Sequence, residues 1–360
     1  MSSFFSYIFL LFLLSPPCNN NNIHARTTPI YTVNPKNISS TLQNHNSYAW
    51  HDFKKLEDAS KGNLINGISK LKKYLHKFGY LETANSTDIF DLNLELAITK
   101  YQQKLGLPVT KKLDSNTLTE MMSPRCGVRD ISSNTLEAGK KYAYFTGQPR
   151  WRGDIPMTLT YAFSPGNLIA SLSKDDLRGA LKRAFGHWAK VIPVTFVESD
   201  DYGFADIRIG FYAGDHGDGE AFDGVLGVLA HAFSPESGRF HLDAAETWAV
   251  NFAEETARNA VDLESVATHE IGHLLGLAHS GDREAVMYPS LKPREKKVGL
   301  RVDDIRGVQA LYGSNPNFSL QGFSESDMSS NGGWVIGEDE GLFLRVNYWV
   351  LLVLVLWVCM

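Results

Sequence analysis

Cysteine is scarce in this sequence, and its scarcity limits what can stabilise the fold. Three of the 360 residues are cysteines, namely Cys18, Cys126 and Cys359. Cys18 and Cys359 lie in terminal segments that we expect to be removed, which leaves Cys126 with no partner for an intrachain disulfide. The stability that disulfides give to many extracellular chains must then come from other interactions within the folded chain.

An excess of positive charge is also absent. Lysine and arginine together number 35 against 40 aspartates and glutamates, and the formal net charge is −5. This balance argues against a protein that binds nucleic acid, because such a surface would be basic. The share of hydrophobic residues, 43%, is ordinary for a globular chain, and the length allows two domains together with processed segments.

The beginning of the chain carries a processing signal. Residues 4–14 are apolar, which predicts a signal peptide over residues 1–18 even though no lysine or arginine precedes the apolar stretch. The stretch is shorter than the roughly 20 residues that a membrane anchor needs. Three sequons for N-glycosylation fit a secretory route: Asn37, Asn85 and Asn317.

The end of the chain follows the order of a glycosylphosphatidylinositol (GPI) anchor signal. A linker over residues 314–333 ends in small residues, and residues 334–360 contain a polar spacer followed by a largely apolar tail. A transmembrane helix is the alternative, but Arg345 interrupts the tail and no basic segment follows it. We therefore expect a GPI anchor that holds the protein on the outer face of the plasma membrane.

A helical region is predicted between about residues 53 and 125, after a polar leader over residues 19–47. One apolar stripe closes at Gly79, a second is broken at Pro108, and a short third helix is expected to begin at Ser115. The pattern predicts three helices around a small core. A generic three-helix bundle would give the same pattern.

The densest set of reactive side chains is a run of three histidines and one glutamate late in the chain. On a helix, His269 and His273 project from the same face one turn apart, so their imidazoles can bind one Zn²⁺. Glu270 then lies beside the metal without binding it, where a general base for a zinc-bound water belongs. A left-handed turn at Gly276 would return the chain so that His279 becomes the third ligand, which leaves the fourth zinc position open for catalysis.

The alternative is a buried helix whose histidines only pack in the core. A His-Glu-x-x-His match alone arises by chance in about one chain in a hundred of this length, but the glycine and the third histidine at fixed offsets make chance far rarer. Met287 follows at the place of a metzincin Met-turn, and we interpret it as the hydrophobic floor beneath the zinc.

Together these residues resemble the matrixins, the matrix metalloproteinase family within the metzincins, over about residues 50–313. The chain is most similar to the short plant type, since no further domain is expected after residue 313. The resemblance implies an α+β fold with a twisted, mostly parallel sheet and three helices, preceded by a small helical prodomain of the peptidoglycan-binding type. It also implies a monomeric zinc endopeptidase that acts on protein or peptide substrates.

Residues 124–130, Pro-Arg-Cys-Gly-Val-Arg-Asp, are similar to the matrixin cysteine switch, although Arg129 stands where the animal pattern has proline. The resemblance implies that the Cys126 thiolate fills the open zinc position of a latent form. It divides the chain into a propeptide over residues 19–141 and a catalytic domain over residues 142–313. An inert cysteine is the alternative. Arg125 and Asp130 can pair, which at an exposed position contributes only about 0–1 kcal/mol.

Residues 214–248 are rich in further potential ligands. Three histidines and one aspartate form a closed tetrahedral set that resembles the matrixin structural zinc: His216, Asp218, His231 and His241. Carboxylates and backbone carbonyls resemble one calcium site: Asp223, Gly224, Leu226, Val228, Asp243 and Glu246. Metal-free surface loops are the alternative. A second Ca²⁺ is not expected, because the loop over residues 234–241 is short and Asp206 alone is a poor site.

The substrate cleft is also expected from the resemblance. A strand over residues 227–233 would border it, and the edge of this strand can pair with an extended peptide. Ser265 and the segment Pro289–Leu291 match positions that line the pocket for the residue after the scissile bond, and the small Ser265 predicts a deep apolar pocket. In the family, an aspartate at the start of the last helix, Asp303 or Asp304 here, can hold the new N-terminus.

The sequence therefore predicts a secreted zinc endopeptidase, made as a zymogen, that prefers a bulky hydrophobic residue after the scissile bond. The alternative of a different class is a surface protein that binds cell-wall glycan through its helical region. Such a protein would need neither Glu270 nor the motif around Cys126. A metallo-hydrolase that acts on another kind of bond is the third possibility, and the expected edge strand argues against it.

Overall fold

The computed structural model describes residues 50–131 and 141–319. The expected signal peptide, the polar leader, Asn37 and the anchor signal lie outside these residues. Among the helices within them, none combines the length and the apolar character needed to span a bilayer.

Residues 50–122 form the helical region. Its elements are a 3-10 helix (His51–Leu56), α1 (Ile68–Lys77), α2 (Leu92–Lys104) and α3 (Ser115–Met121). Asp91 and Asp114 stand just before α2 and α3, and each carboxylate accepts a hydrogen bond from a backbone N–H group in the first turn. The apolar stripes of the three helices meet in one core, as the helical spacing of the sequence predicts.

All ten strands of the described residues lie in the rest of the chain, after the helical region. In chain order the strands are β1 (Arg125–Cys126), β2 (Ala143–Tyr144), β3 (Met157–Phe163), β4 (Val194–Glu198), β5 (Ile207–Tyr212), β6 (Val228–Ala232), β7 (Arg239–Asp243), β8 (Trp248–Ala249), β9 (Val261–Asp262) and β10 (Leu277–Ala278). Six of them form one sheet in the order β1-β6-β7-β5-β3-β4. Every neighbouring pair in it is parallel except β6 and β7, so the expected mostly parallel sheet is confirmed.

Three helices accompany this sheet: α4 (Lys174–Ala189), α5 (Leu263–Leu274) and α6 (Val302–Tyr312). Ser173 caps α4 by accepting a hydrogen bond from the Asp176 N–H group. The α5 helix packs against α4 and β6, and all of its residues are buried. A polar side chain on such a helix must find a partner inside the protein. This requirement makes α5, which carries two histidines and two glutamates, the element around which the site forms.

Candidate active site

Three histidine nitrogens converge where the sequence predicts a zinc ion. His269 and His273 lie on one face of α5, with their Nε2 atoms 3.1 Å apart. Gly276 has a φ of +104°, which turns the chain back so that His279 Nε2 lies 3.2 Å from His273 Nε2. A side chain at Gly276 would also collide with the Pro149 carbonyl, because a Cβ there would lie 2.2 Å from that oxygen. The turn therefore requires glycine at this position.

The hydrogen bond made by Nδ1 of each histidine determines which ring nitrogen carries the proton. The Nδ1 atoms of His269 and His273 lie 2.7 Å from the carbonyl oxygens of Val286 and Leu277, and they must donate to them. His279 Nδ1 lies 2.7 Å from the Asp130 carboxylate and donates to it, so the three Nε2 atoms present lone pairs to one another. Burial lowers the pKa of His269 and His273 well below the ordinary value, so both rings are neutral. Converging lone pairs on neutral rings suit a cation.

The Cys126 sulfur completes this set of ligands. It lies 3.4 Å from His273 Nε2, and the four donor atoms all lie within 4.8 Å of one another. Bond lengths of about 2.0–2.1 Å to nitrogen and about 2.3 Å to sulfur around a tetrahedral zinc imply donor separations of about 3.3–3.6 Å. Burial raises the pKa of the thiol well above its ordinary value, so a bound metal is needed to keep it as a thiolate at neutral pH. The residues fit a four-coordinate zinc.

Glu270 points into the same site without a polar partner. It is fully buried, and among the described residues neither carboxylate oxygen has a hydrogen bond of ordinary geometry. Burial raises its pKa to about 8. The nearby carboxylate in turn raises the pKa of Cys126. A buried acid without partners is costly in a folded protein, and a group that exchanges protons with a reacting water has this character.

Met287 lies directly beneath the metal-binding helix. A Cβ added at Gly272 of α5 would lie 2.2 Å from the Met287 sulfur, so the turn and the helix approach closely only because residue 272 is glycine. The Asp304 carboxylate accepts hydrogen bonds from the N–H groups of Val286 and Met287, at 2.9 and 3.0 Å. One aspartate at the start of α6 therefore holds the turn that carries Met287.

The segment around Cys126 fills the cleft as an added strand. β1 pairs in parallel with β6, and the Arg125 and Gly127 N–H groups donate to the carbonyls of Gly227 and Ala230 at 3.0 and 2.8 Å. On the other side, the Cys126 N–H group donates to the Pro289 carbonyl at 2.9 Å. The backbone edges that would bind an extended peptide are thus occupied by this segment.

A pocket opens beside the histidines on the side of residues 289–291. Its lining includes Leu229, Ser265, Val266, Tyr288, Leu291 and Lys297. Leu229, Val266 and Leu291 contribute apolar side chains to it. The Ser265 hydroxyl donates to the Asp262 carboxylate at 2.6 Å and accepts from the Lys297 N–H group at 2.7 Å. Lys297 was missed by sequence reasoning, because no motif links it to the zinc helix.

The ligands expected for a structural zinc also meet. The Asp218 Oδ2 atom lies 2.8 Å from His231 Nε2 and from His241 Nδ1, and 2.9 Å from His216 Nε2. His216 Nδ1 lies 3.0 Å from the Gly214 carbonyl and donates to it, so its Nε2 lone pair faces the Asp218 oxygen. Burial lowers the pKa of His231 and His241 to about 4. Neutral rings facing a carboxylate fit a bound cation.

Three carboxylates cluster around the loop expected to bind calcium. The N–H groups of Gly224 and Leu226 donate to Asp243 and Glu246 at 3.3 and 2.7 Å. Burial and mutual repulsion raise the pKa of Asp243 to about 6 and that of Glu246 to about 8, and burial raises the pKa of Asp223. One oxygen of Glu246 has no hydrogen-bond partner among the described residues. A divalent cation would relieve this crowding of negative charge.

Asp206, which we considered for a second calcium, has another role. Its Oδ2 atom accepts hydrogen bonds from the N–H and hydroxyl groups of Thr160, both at 2.7 Å. The carboxylate thereby ties the loop before β5 to strand β3.

The Arg125–Asp130 pair is buried, and the low energy expected for an exposed pair does not apply. Both side chains are 0% exposed, and the nearest N–O distance is 2.5 Å. Arg125 also stacks over the Phe78 ring, 3.6 Å from its centroid. Removing one partner of such a pair leaves a buried charge, which costs about 3–5 kcal/mol. The pair therefore stabilises the segment in the cleft, and its two residues tie that segment to Phe78 of the helical region.

The family model for Matrixin matches residues 150–313, and a model for a peptidoglycan binding domain matches residues 66–121. The chain is 57% identical to Metalloendoproteinase 4-MMP of Arabidopsis thaliana over 267 residues, 73% of this chain and 78% of that one. It is 50% identical to Metalloendoproteinase 1-MMP of the same plant over 333 residues, 91% and 90% of the two chains. It is 44% identical to Metalloendoproteinase 1 of Glycine max over 282 residues, 76% and 91%. The chain therefore belongs to the matrixin family and is a zinc metalloendopeptidase that uses zinc and calcium.

Proposed function

We propose that the full-length chain is a latent endopeptidase held inactive by a cysteine switch. The observation that carries this proposal is the position of the Cys126 sulfur, 3.4 Å from His273 Nε2, at the end of a strand that occupies the cleft. The propeptide covers residues 19–141 and the catalytic domain residues 142–313. Thiolate in the fourth metal position excludes the water that catalysis needs.

The reaction of the activated enzyme follows from the remaining residues. His269, His273 and His279 hold the catalytic zinc, which when bound polarises the scissile carbonyl and makes water more acidic. Glu270 takes a proton from the attacking water and passes it to the nitrogen of the leaving amine. Its burial and the absence of a hydrogen bond of ordinary geometry to it within residues 50–131 and 141–319 support this role, because an acid with a raised pKa can hold the proton between the two steps.

Substrate is held as an extended peptide beside β6, in the place that β1 occupies in the latent chain. The pocket that includes Leu229, Val266 and Leu291 takes the side chain after the scissile bond and favours a bulky hydrophobic residue. Protein and peptide substrates outside the cell are the class that fits this cleft.

The N-terminal residue of the activated enzyme is Tyr142 in this proposal. The Tyr142 N–H group donates to Asp303 at 2.9 Å, and the second oxygen of this carboxylate accepts from the Ser280 hydroxyl at 2.7 Å. Cleavage before Tyr142 turns this N–H group into a charged ammonium beside a buried carboxylate. The ion pair then anchors the new N-terminus close to His279.

The remaining assignments concern the route of the protein to the cell surface. We infer a signal peptide, a GPI anchor and a monomeric state, with glycans on Asn37, Asn85 and Asn317. Asn85 and Asn317 are exposed, as glycan attachment requires.

The decisive test of latency is Cys126→Ser in the full-length chain. A hydroxyl is a weak ligand that water displaces, so the variant should hydrolyse a peptide substrate or process itself without an activating protease. The double variant Cys126→Ser, Glu270→Ala is the matched control and should do neither. A Cys126→Ser protein that folds, binds zinc and stays as inactive as the unchanged chain would show that the propeptide inhibits by covering the cleft alone.

A further inference from the structure

The three zinc histidines differ in where their Nδ1 hydrogen bonds go. His269 and His273 donate to backbone carbonyls of Val286 and Leu277, which lie in the catalytic domain. His279 instead donates to the carboxylate of Asp130, 2.7 Å away and 149 residues earlier in the chain. Asp130 leaves with the propeptide when the enzyme is activated. One ligand of the catalytic zinc thus depends on the propeptide for its orientation.

Asp130 is held firmly in this position. Its side chain is 0% exposed and pairs with the buried Arg125, and its own N–H group donates to the Phe78 carbonyl at 3.1 Å. The Arg125 guanidinium and the His279 ring both contact the Oδ1 atom of this carboxylate. A carboxylate paired with a buried guanidinium therefore lies directly behind the metal ligand.

A second propeptide residue contacts His279 from its backbone side. The Lys104 ammonium, at the end of α2, donates to the His279 carbonyl at 2.8 Å. The imidazole and the carbonyl of His279 are thus both bound by the propeptide, one by Asp130 and the other by Lys104. We call this pair of contacts the His279 clamp.

We propose that the His279 clamp makes the propeptide a second determinant of metal binding, so that the latent chain holds its catalytic zinc more tightly than Cys126 alone would achieve. The inference rests on the latent state proposed above. A carboxylate that accepts a hydrogen bond from a zinc histidine fixes the ring and makes it a stronger ligand, and the loss of such a partner costs about 10- to 100-fold in metal affinity. Asp130 acts through His279 and is a positioning residue.

The test compares zinc release from full-length proteins that all carry Glu270→Ala, which prevents self-processing. Transfer of zinc to a chromogenic chelator is followed for this parent, for Asp130→Asn and for Lys104→Met. Glu120→Gln is the matched control, because it removes a propeptide ion pair to Arg283, 3.0 Å long, without touching His279. We expect release about 10- to 100-fold faster for Asp130→Asn, a smaller increase for Lys104→Met and no change for Glu120→Gln.

Cobalt absorption shows whether Asp130 acts through His279 or through Cys126. In the Co²⁺-substituted proteins, Asp130→Asn should shift the d–d bands while the thiolate-to-cobalt charge-transfer band remains. Loss of that band in Asp130→Asn, release at the parental rate from folded Asp130→Asn, or equally fast release from Glu120→Gln would each overturn the clamp. If Asp130→Asn does not fold, unchanged release from folded Lys104→Met overturns it. A parent without the charge-transfer band would refute the cysteine switch instead, while faster release from Asp130→Asn would still support the clamp.

Discussion

At the scale of single residues, the proposed general base Glu270 offers a way to test catalysis separately from metal binding. Glu270 is adjacent in sequence to His269, but its carboxylate contacts none of the imidazole nitrogens that could hold zinc. A substitution here should leave the metal in place and remove only the proton transfer. The zinc ligands themselves do not allow this separation.

We therefore expect Glu270→Ala to retain zinc and to lose peptidase activity by about 10²–10⁴-fold, the range that general acid–base catalysis contributes. The activated protein is analysed for zinc by atomic absorption and assayed with a quenched peptide. Glu270→Gln, which keeps the size of the side chain, should be equally inactive. Near-normal turnover in a zinc-loaded variant would disprove the role of this residue.

The residue scale also shows where sequence reasoning ends. The spacing of His269, His273 and His279 is a local property, so the metal centre can be predicted from a short segment. The acceptor of His279 lies 149 residues away, and Lys104 lies 175 residues away. No local pattern encodes contacts between residues so far apart in the chain. The same applies to Lys297 in the pocket, which only the folded chain brings next to Ser265.

At the scale of elements, two helical glycines differ in how closely other residues pack against them. Gly272 in α5 faces the Met287 sulfur and the Trp188 ring, where a Cβ would lie 2.2 and 3.0 Å away. Gly186 in α4 has open space around its Cα, with no atom within 4 Å of an added Cβ. Alanine favours the helical conformation at both positions. A difference in stability between the two alanine variants therefore measures the effect of packing around the added methyl group.

Gly186→Ala should stabilise the protein by about 0.5–1 kcal/mol, because alanine favours the helix. Gly272→Ala should destabilise it by about 1–3 kcal/mol, because the close packing against the Met-turn has no room for a methyl group. Thermal unfolding of the two variants in parallel measures both effects. Equal melting temperatures would show that Met287 moves aside freely and is not a fixed floor beneath the zinc.

The elements also show which parts of the fold the sequence determines. Helix α4 follows Ser173, whose side chain caps its first turn, and β3 covers Met157–Phe163, a stretch that begins with alternating apolar and polar residues. These elements follow from local capping and periodicity. The addition of β1 to the sheet does not, because two residues carry no strand pattern of their own. It depends on pairing with β6, about a hundred residues later.

At the scale of the whole molecule, bound metal ions should stabilise the catalytic domain, in which no disulfide is expected. The pKa values of Asp243 and Glu246, about 6 and about 8, are raised by burial and mutual repulsion. A carboxyl group with a raised folded-state pKa favours folding while it is protonated, and this contribution is lost as the pH rises through that pKa. Without calcium, the protein should therefore become less stable between about pH 5 and pH 8.

Calcium should reverse this trend, because it binds the ionised carboxylates. We expect the rise in melting temperature caused by Ca²⁺ to grow as the pH increases from 5 to 8, and Glu246→Gln to reduce the pH dependence of the calcium-free protein. Calorimetry with and without a calcium chelator measures both. A calcium effect that is the same at every pH would contradict the assignment of these carboxylates.

The route to the cell surface gives a further prediction for the complete chain. If the tail from Leu342 onward is exchanged for a lipid, phosphatidylinositol-specific phospholipase C should release the protein from intact cells. Failure of release, with detergent extracting a species that still contains Trp357, would favour a transmembrane helix.

The strand that blocks the cleft has a consequence for the solution behaviour of the activated enzyme. While β1 is present, the outer edge of β6 has hydrogen-bond partners, and the sheet has six strands. Removal of β1 leaves a freshly exposed edge of buried character, since every residue of β6 is buried in the latent chain. Unpaired edges of this kind promote edge-to-edge association between molecules. If the proposed activation removes β1, we therefore expect the mature enzyme to be most prone to aggregate when it has no peptide to bind.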